Sequence, residues 1–143
     1  MGKARSNAAL VERLRLAGLR PTRQRVELAR ILFAPPHRHL TADELYAEAH
    51  ARSVDVSLAT IYNTLNQFTK AGLLRELTLS AGCSYFDTNT DEHHHFFFED
   101  SGRLVDIPES DVVLSGLPKA PDGSVVRRVD VIIRVAGNEA SDS

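Results

Sequence analysis

The chain has very little cysteine, methionine or tryptophan. Its 143 residues include one cysteine, Cys83, one methionine and no tryptophan. A single cysteine excludes a disulfide within the chain and any zinc site built from Cys-x-x-Cys pairs. Apolar runs are short, since no stretch approaches the roughly 20 residues needed to span a bilayer. Because no apolar signal segment follows the first residues, we expect a cytoplasmic protein with no membrane partner.

The net charge of −2 conceals an uneven distribution of charge along the chain. Residues 1–79 carry a net charge of +5, whereas residues 80–143 carry −7. The basic part suits binding to a polyanion such as nucleic acid, and the acidic part suits binding of a cation. Solvated helix faces would give the same asymmetry, so charge alone does not separate the two interpretations.

The first part of the chain has the pattern of short helices followed by a hairpin. Apolar residues recur at helical spacing in four segments, and residues that commonly begin or end helices flank them: Gly18, Pro35, Thr41, Ser57 and Gly72. Two strand-like runs follow, at residues 73–79 and 84–88. This order is typical of a winged helix-turn-helix, and a small helical domain without a ligand is the alternative.

The fourth of these helices, which begins after Ser57, has two unlike faces. One is an apolar stripe, and the other carries hydroxyl and amide groups, including those of Thr60, Tyr62 and Asn63. Such side chains can bond to base edges and phosphates, which an interior helix has no need to do. The pattern therefore predicts that this helix contacts DNA.

From residue 89 onward the pattern is that of strands. Runs at 94–99 and 103–107 flank a turn, the alternating run 129–135 is the clearest strand, and a short helix is expected within 108–117. These strands have little core of their own, so pairing with a second copy would bury them. We predict an α+β fold: a winged helix-turn-helix DNA-binding domain, residues 1–88, followed by a small α/β dimerisation and ligand-sensing domain, residues 89–143.

Three consecutive histidines, His93 to His95, lie between acidic residues and an apolar run. On a strand, His93 and His95 would point to one side, and Glu92 and His94 to the other. A His-x-His pair supplies two nitrogen ligands to a metal ion, and further ligands must come from elsewhere. Candidates for these are Asp87, at the end of the hairpin, and His39, before the third helix.

The remaining histidines of the chain are His37, His50 and His94. His94 could be a spare metal ligand, an axial ligand to haem iron or a bystander, since imidazole serves both kinds of site. His37 and His50 are interpreted as surface residues.

Four segments together resemble the ferric uptake regulator (Fur) family in order and spacing. They are residues 18–25 (GLRPTRQR), 58–65 (LATIYNTL), 71–74 (AGLL) and the histidine run. The resemblance extends to about residue 135. Residues 84–90 (SYFDTNT), which lead into DEHHHFF, look more specifically like the iron response regulator (Irr) branch.

The resemblance implies a set of metal sites. It carries the regulatory site onto His39, Asp87, His93 and His95, with iron, manganese or zinc as the metal. Glu92 and His94 match an incomplete second site. Phe98 and Ser101 stand where other members have their first Cys-x-x-Cys pair, so no structural four-cysteine zinc is expected.

The resemblance also implies how the DNA is read. It puts Arg20 near the minor groove and Tyr62 on a thymine of an AT-rich palindromic operator, bound by a homodimer. With the helix pattern, this gives the predicted DNA-binding set: Arg20, Arg23, Ser57, Thr60, Tyr62 and Asn63. Asn63 replaces the arginine that is usual in iron-binding members, so the operator is expected to differ from theirs.

The leading hypothesis is an iron- and haem-responsive transcription regulator, not an enzyme. By resemblance to the Irr branch it would bind operators when iron is scarce and be inactivated by haem at His93, His94 and His95, with ferrochelatase as a candidate partner. The alternative is a divalent-metal-activated Fur-type repressor without haem sensing. A third hypothesis, a metal-dependent hydrolase with Glu92 as its base, lacks any His-Glu-x-x-His segment.

Overall fold

A computed structural model describes residues 2–80, 83–91 and 93–137 of the chain. The chain forms two compact units, Met1–Thr90 and Asp91–Ser143, called the first and second unit below. Both helices and sheets are present, as expected for an α+β protein. No helix in the described part of the chain is long and apolar enough to cross a membrane.

Four helices make up most of the first unit. Polar N-caps begin the last three, because the side chains of Thr22, Thr41 and Ser57 each accept a backbone N–H from the first turn. Thr41 and Glu44 form the predicted capping box. The helices are α1 (Gly2–Leu16), α2 (Arg23–Leu32), α3 (Ala42–Ala51) and α4 (Leu58–Lys70).

The core of the first unit lies between these helices. The apolar stripe of α4 is fully buried at Ile61, Leu65 and Phe68. The Phe68 ring stacks on Phe33 with 6.0 Å between ring centroids. The guanidinium of Arg13 lies 4.0 Å from the Phe33 centroid. Burial of one face of α4 leaves its polar face towards solvent.

A three-stranded antiparallel sheet completes the first unit. Its strands are β1 (His39–Leu40), β2 (Arg75–Ser80) and β3 (Cys83–Asp87), in the order β1-β3-β2. The hairpin of β2 and β3 was predicted, and the middle of its turn lies outside the described residues. The two-residue strand β1 was not predicted, since so short a segment has no periodicity to read.

A second three-stranded sheet forms the second unit, in the order β5-β4-β6. The central strand, β4 (His93–Phe98), pairs antiparallel with β5 (Arg103–Pro108) and parallel with β6 (Ile132–Val135). Several large apolar side chains of this unit are exposed: Val113, Leu114, Leu117, Val125, Val126, Val129 and Ile133.

A short helix was expected within the segment 108–117, and a 3-10 helix, Glu109–Asp111, forms there. The prediction for the last strand was wrong in extent. The last strand begins at Ile132 and not at 129, because the Val131 N–H donates to the imidazole Nδ1 of His94 (3.1 Å) and is not available to the ladder.

Candidate metal and DNA sites

Strand pairing in the first unit brings together two of the predicted metal ligands, His39 and Asp87. They are directly opposite each other in the β1–β3 ladder, and His39 Nε2 lies 3.3 Å from Asp87 Oδ2. The Asp87 side chain is only 1% exposed, and its Oδ1 accepts the Asn89 N–H at 2.8 Å. We call His39 and Asp87 the first ligand pair. A buried carboxylate beside an imidazole suits a divalent cation.

The backbone around His39 is held from two sides. Arg38 and Thr88 exchange backbone and hydroxyl hydrogen bonds: the Thr88 N–H donates to Arg38 O at 3.0 Å, and the Arg38 N–H donates to Thr88 Oγ1 at 2.9 Å. The two terminal nitrogens of the Arg38 guanidinium also donate to the two carboxylate oxygens of Glu48 on α3. Hydrogen bonds from Arg38 lower the pKa of Glu48, and the same bonds raise the pKa of Arg38. His39 is thereby fixed to both the sheet and the helices of its unit.

The second unit brings together three further donors. His93 and His95 share one face of β4, as the alternation predicts, with 4.5 Å between ring centroids. The Nε2 atoms of both rings lie 3.5 Å from the same oxygen, Asp106 Oδ1. We call His93, His95 and Asp106 the second ligand group. Both rings are almost fully buried, whereas Asp106 is 39% exposed.

A backbone contact fixes the orientation of the His93 ring. Its Nδ1 lies 2.5 Å from the carbonyl oxygen of Asp91. A carbonyl can only accept, so Nδ1 carries the proton and Nε2 keeps a lone pair on the side facing Asp106. Imidazoles that bind metals are commonly oriented by a hydrogen bond of this kind.

Asp106 was missed by the sequence analysis. It lies on β5 directly opposite His95 in the β4–β5 hairpin. The sequence contained a signal for it, because a hairpin centred between Asp100 and Ser101 puts positions 95 and 106 opposite each other. The predicted strands flanked this turn, but the register was not counted.

His94 faces away from the second ligand group. Its Nδ1 accepts the Val131 N–H, so in the neutral ring the proton is on Nε2 and neither nitrogen offers a free lone pair. The ring is 6% exposed. Through this contact, His94 stabilises the backbone at the start of β6. Glu92, the other residue of the predicted second site, lies outside the described residues.

The residues predicted to contact DNA on α4 lie at its beginning and on its exposed face. Ser57 is the N-cap and accepts the Thr60 N–H at 3.1 Å, while its hydroxyl donates to Thr60 Oγ1 at 3.0 Å. Tyr62 is 45% exposed, and Asn63 is also exposed. This part of the helix presents hydroxyl and amide groups to solvent.

The two predicted arginines lie near the beginning of α2. Arg20 is exposed in the loop before the helix. Arg23, the first residue of α2, is 92% exposed in its side chain and pairs with Glu27 one turn later, at 3.0 Å. An exposed pair of this kind contributes little to stability. Its loss would therefore cost little if Arg23 turned to another anion.

Comparison with known proteins decides the family. The model of the ferric uptake regulator family matches residues 16–116. This chain belongs to that family. Among curated Fur-family relatives, the peroxide-responsive repressor PerR of Staphylococcus epidermidis is 42% identical over 102 residues, which cover 70% of this chain and 67% of that protein. PerR of Staphylococcus aureus is 43% identical over 93 residues, covering 65% and 62%. The chain thus spans less than two thirds of the S. aureus protein's length.

Two solved structures of low sequence identity share the fold. The ferric uptake regulator of Pseudomonas aeruginosa with manganese aligns with a TM-score of 0.70 at 24% identity, over 90% of this chain and 97% of that one. The peroxide stress regulator of Campylobacter jejuni aligns with a TM-score of 0.57 at 22% identity, over 93% and 96%. The match of the family model confirms the resemblance to the Fur family. The curated relatives named above are peroxide-responsive repressors, so the Irr branch stays a prediction.

Proposed function

We propose that this Fur-family chain is a transcription regulator whose DNA binding is controlled by a divalent metal ion. The carrying observation is the existence of two matched donor sets: His39 with Asp87, and His93 with His95 and Asp106. The first unit would bind operator DNA, and the second would carry out dimerisation and ligand sensing.

The donor chemistry fits a first-row divalent metal. Three imidazoles and two carboxylates are the mixture of nitrogen and oxygen ligands that suits manganese, iron or zinc, and there is no thiolate among them. The His93 ring is already oriented with the lone pair of its Nε2 towards Asp106. When bound, such an ion would neutralise the carboxylates. That His39, Asp87, His93 and His95 serve a single ion stays a prediction from the sequence.

The first unit supplies the proposed DNA contacts. Its helices and β2–β3 hairpin have the order of a winged helix-turn-helix, with α4 in the position of the recognition helix. Tyr62 and Asn63 would meet base edges, while Arg20, Arg23, Ser57 and Thr60 would contact the backbone or the minor groove. A homodimer fits the exposed apolar side chains of the second unit, and two copies of α4 would read a palindromic, AT-rich operator.

Haem sensing has less support than metal sensing. All three imidazoles of the run are buried, with exposed fractions of 5%, 6% and 0% for His93, His94 and His95. A porphyrin would have to reach rings that are almost fully buried, and the His94 ring would have to give up its hydrogen bond from the Val131 N–H. The predicted partnership with ferrochelatase depends on haem sensing, and both remain predictions.

Fluorescence anisotropy at one fixed salt concentration tests the proposed function. The DNA is a labelled duplex selected from a random pool by the Mn²⁺-loaded protein, and the protein is metal-stripped, Mn²⁺-loaded or supplied with one equivalent of haem. We expect tight binding with Mn²⁺ and at least about tenfold weaker binding without metal, which corresponds to a coupling of roughly 1.4 kcal/mol. Tight binding by stripped protein that haem abolishes would overturn the metal hypothesis in favour of haem.

The variant Tyr62→Ala should separate DNA binding from metal binding. We expect this variant to bind the selected duplex about tenfold or more weakly while its Mn²⁺ affinity, measured by calorimetry, stays unchanged, since Tyr62 is exposed on α4 and belongs to neither ligand set. Tyr46→Ala is the matched control, because Tyr46 is also partly exposed but lies on α3. Equal losses in both tyrosine variants would contradict DNA reading by α4.

Peroxide is the signal suggested by the names of the staphylococcal relatives. Hydrogen peroxide readily oxidises ferrous ion to ferric ion and oxidises manganous ion poorly, so the identity of the bound ion should decide the response. We expect hydrogen peroxide to abolish duplex binding by Fe²⁺-loaded protein prepared without oxygen and to leave the Mn²⁺-loaded form active. Equal sensitivity of the two forms would point to a metal-independent target such as Cys83.

A further inference from the structure

The side chain of Arg25 connects two parts of the first unit that are proposed to touch DNA. Its Nη1 donates to the backbone carbonyl of Arg20 at 2.8 Å, and its Nη2 donates to Gln67 Oε1 on α4 at 2.9 Å. One planar guanidinium thus holds the loop before α2 and the proposed recognition helix at a fixed separation. We propose that Arg25 is a positioning residue for DNA recognition, which sets Arg20 relative to the reading face of α4. This rests on the proposed DNA-binding function.

Gln67, the residue of α4 that Arg25 contacts, lies on the face of the helix that is proposed to read DNA. Gln67 follows Asn63 by four residues and Thr60 by seven, so the three side chains share one side of the helix. Gln67 is exposed, like Asn63. The Arg25 contact therefore reaches the exposed polar face and not the apolar stripe, which packing already holds.

The other end of the contact fixes a short loop. The Thr22 N–H donates to the same carbonyl of Arg20 at 2.9 Å, and Thr22 Oγ1 accepts the Arg25 N–H as the cap of α2. The Arg20 carbonyl thus receives two donors, both dependent on the first turn of α2. The Arg20 side chain itself remains exposed for a partner.

A lysine cannot replace this arginine. An ammonium keeps the charge but not the planar fork that reaches two acceptors in different directions. Arg25→Lys therefore removes the proposed positioning while leaving the general attraction for DNA unchanged. Gln67→Ala removes the acceptor on α4 without changing any charge.

The test uses the Mn²⁺-loaded full chain, the selected duplex and a scrambled duplex of the same composition. We expect Arg25→Lys and Gln67→Ala each to weaken binding to the selected duplex by about tenfold, with the scrambled duplex and the salt dependence unchanged. Arg15→Lys, an exposed arginine of α1 exchanged in the same way, is the control and should bind like wild type. Thermal melts verify that each variant is folded.

A double-mutant comparison identifies the cause. If Arg25 acts through Arg20, the variant with both Arg20→Ala and Arg25→Lys binds no more weakly than Arg20→Ala alone. Losses that multiply, or wild-type affinity in both Arg25→Lys and Gln67→Ala, would overturn the positioning role while leaving the proposed function standing. Wild-type affinity in both Arg20→Ala and Tyr62→Ala would overturn the proposed DNA face, and the positioning role with it.

Discussion

His95→Ala is expected to lower the affinity for Mn²⁺ by at least about a hundredfold, because it removes a proposed metal ligand. Loss of a residue that only supports a ligand commonly lowers metal affinity by about ten- to a hundredfold. His95 is completely buried, and its Nε2 lies 3.5 Å from Asp106 Oδ1. The loss should appear in calorimetric titration of metal-stripped protein. Duplex binding at a subsaturating concentration of Mn²⁺ should fall in parallel.

Two other histidines supply the controls for this experiment. His50 is exposed on α3, where its ring stacks on Tyr46 at 6.4 Å, so His50→Ala should bind Mn²⁺ like wild type. His94→Gln keeps an acceptor for the Val131 N–H and should also retain Mn²⁺ affinity. If His95→Ala binds Mn²⁺ as tightly as His50→Ala, the second ligand group is not the metal site. Loss of Mn²⁺ affinity in His94→Gln would instead revive the predicted second site.

Phe68→Ala is expected to lower the free energy of unfolding of the first unit by about 3–5 kcal/mol, the usual cost of deleting a fully buried phenylalanine. The ring is completely buried on α4 and stacks on Phe33. Because the apolar face of α4 is what holds its polar face outward, duplex binding should fail at temperatures where the wild type is still active. Chemical denaturation followed by amide hydrogen exchange on α2 and α4 measures the change.

Tyr62→Ala provides the matched control on the same helix. Tyr62 is 45% exposed, so its loss should change stability by no more than about 0.5 kcal/mol. Similar destabilisation by the two substitutions would mean that α4 is not held by its apolar stripe.

Local signals explain most of what the sequence predicted. The capping box at Thr41 and the cap at Ser57 are decided by residues three positions apart, and the two-residue alternation put His93 and His95 on one face. The periodicity of α4 likewise separated its buried and exposed sides. Such features depend on neighbours in the chain, and a single sequence displays them directly.

What the sequence did not predict depends on pairing between distant segments. Asp106 belongs with the histidines only through the register of the hairpin, and β1 exists only because β3 is beside it. The late start of β6 depends on one side chain, His94, which takes the Val131 N–H from 37 residues away. The Arg25 contact to Gln67 spans 42 residues and has no periodic signature.

The central place of β4 in the second sheet would make the proposed metal uptake and the proposed self-association interdependent. One edge of this strand pairs with β5, which carries Asp106, and the other pairs with β6, which carries the exposed Ile133. If a second copy covers β6, the backbone of β4, which positions the His93 and His95 imidazoles, becomes part of a larger assembly through its pairing with β6. Linkage is reciprocal, so whatever metal does to the monomer–dimer equilibrium, dilution must do to the affinity for metal. The metal concentration at half-saturation would then vary with the amount of protein.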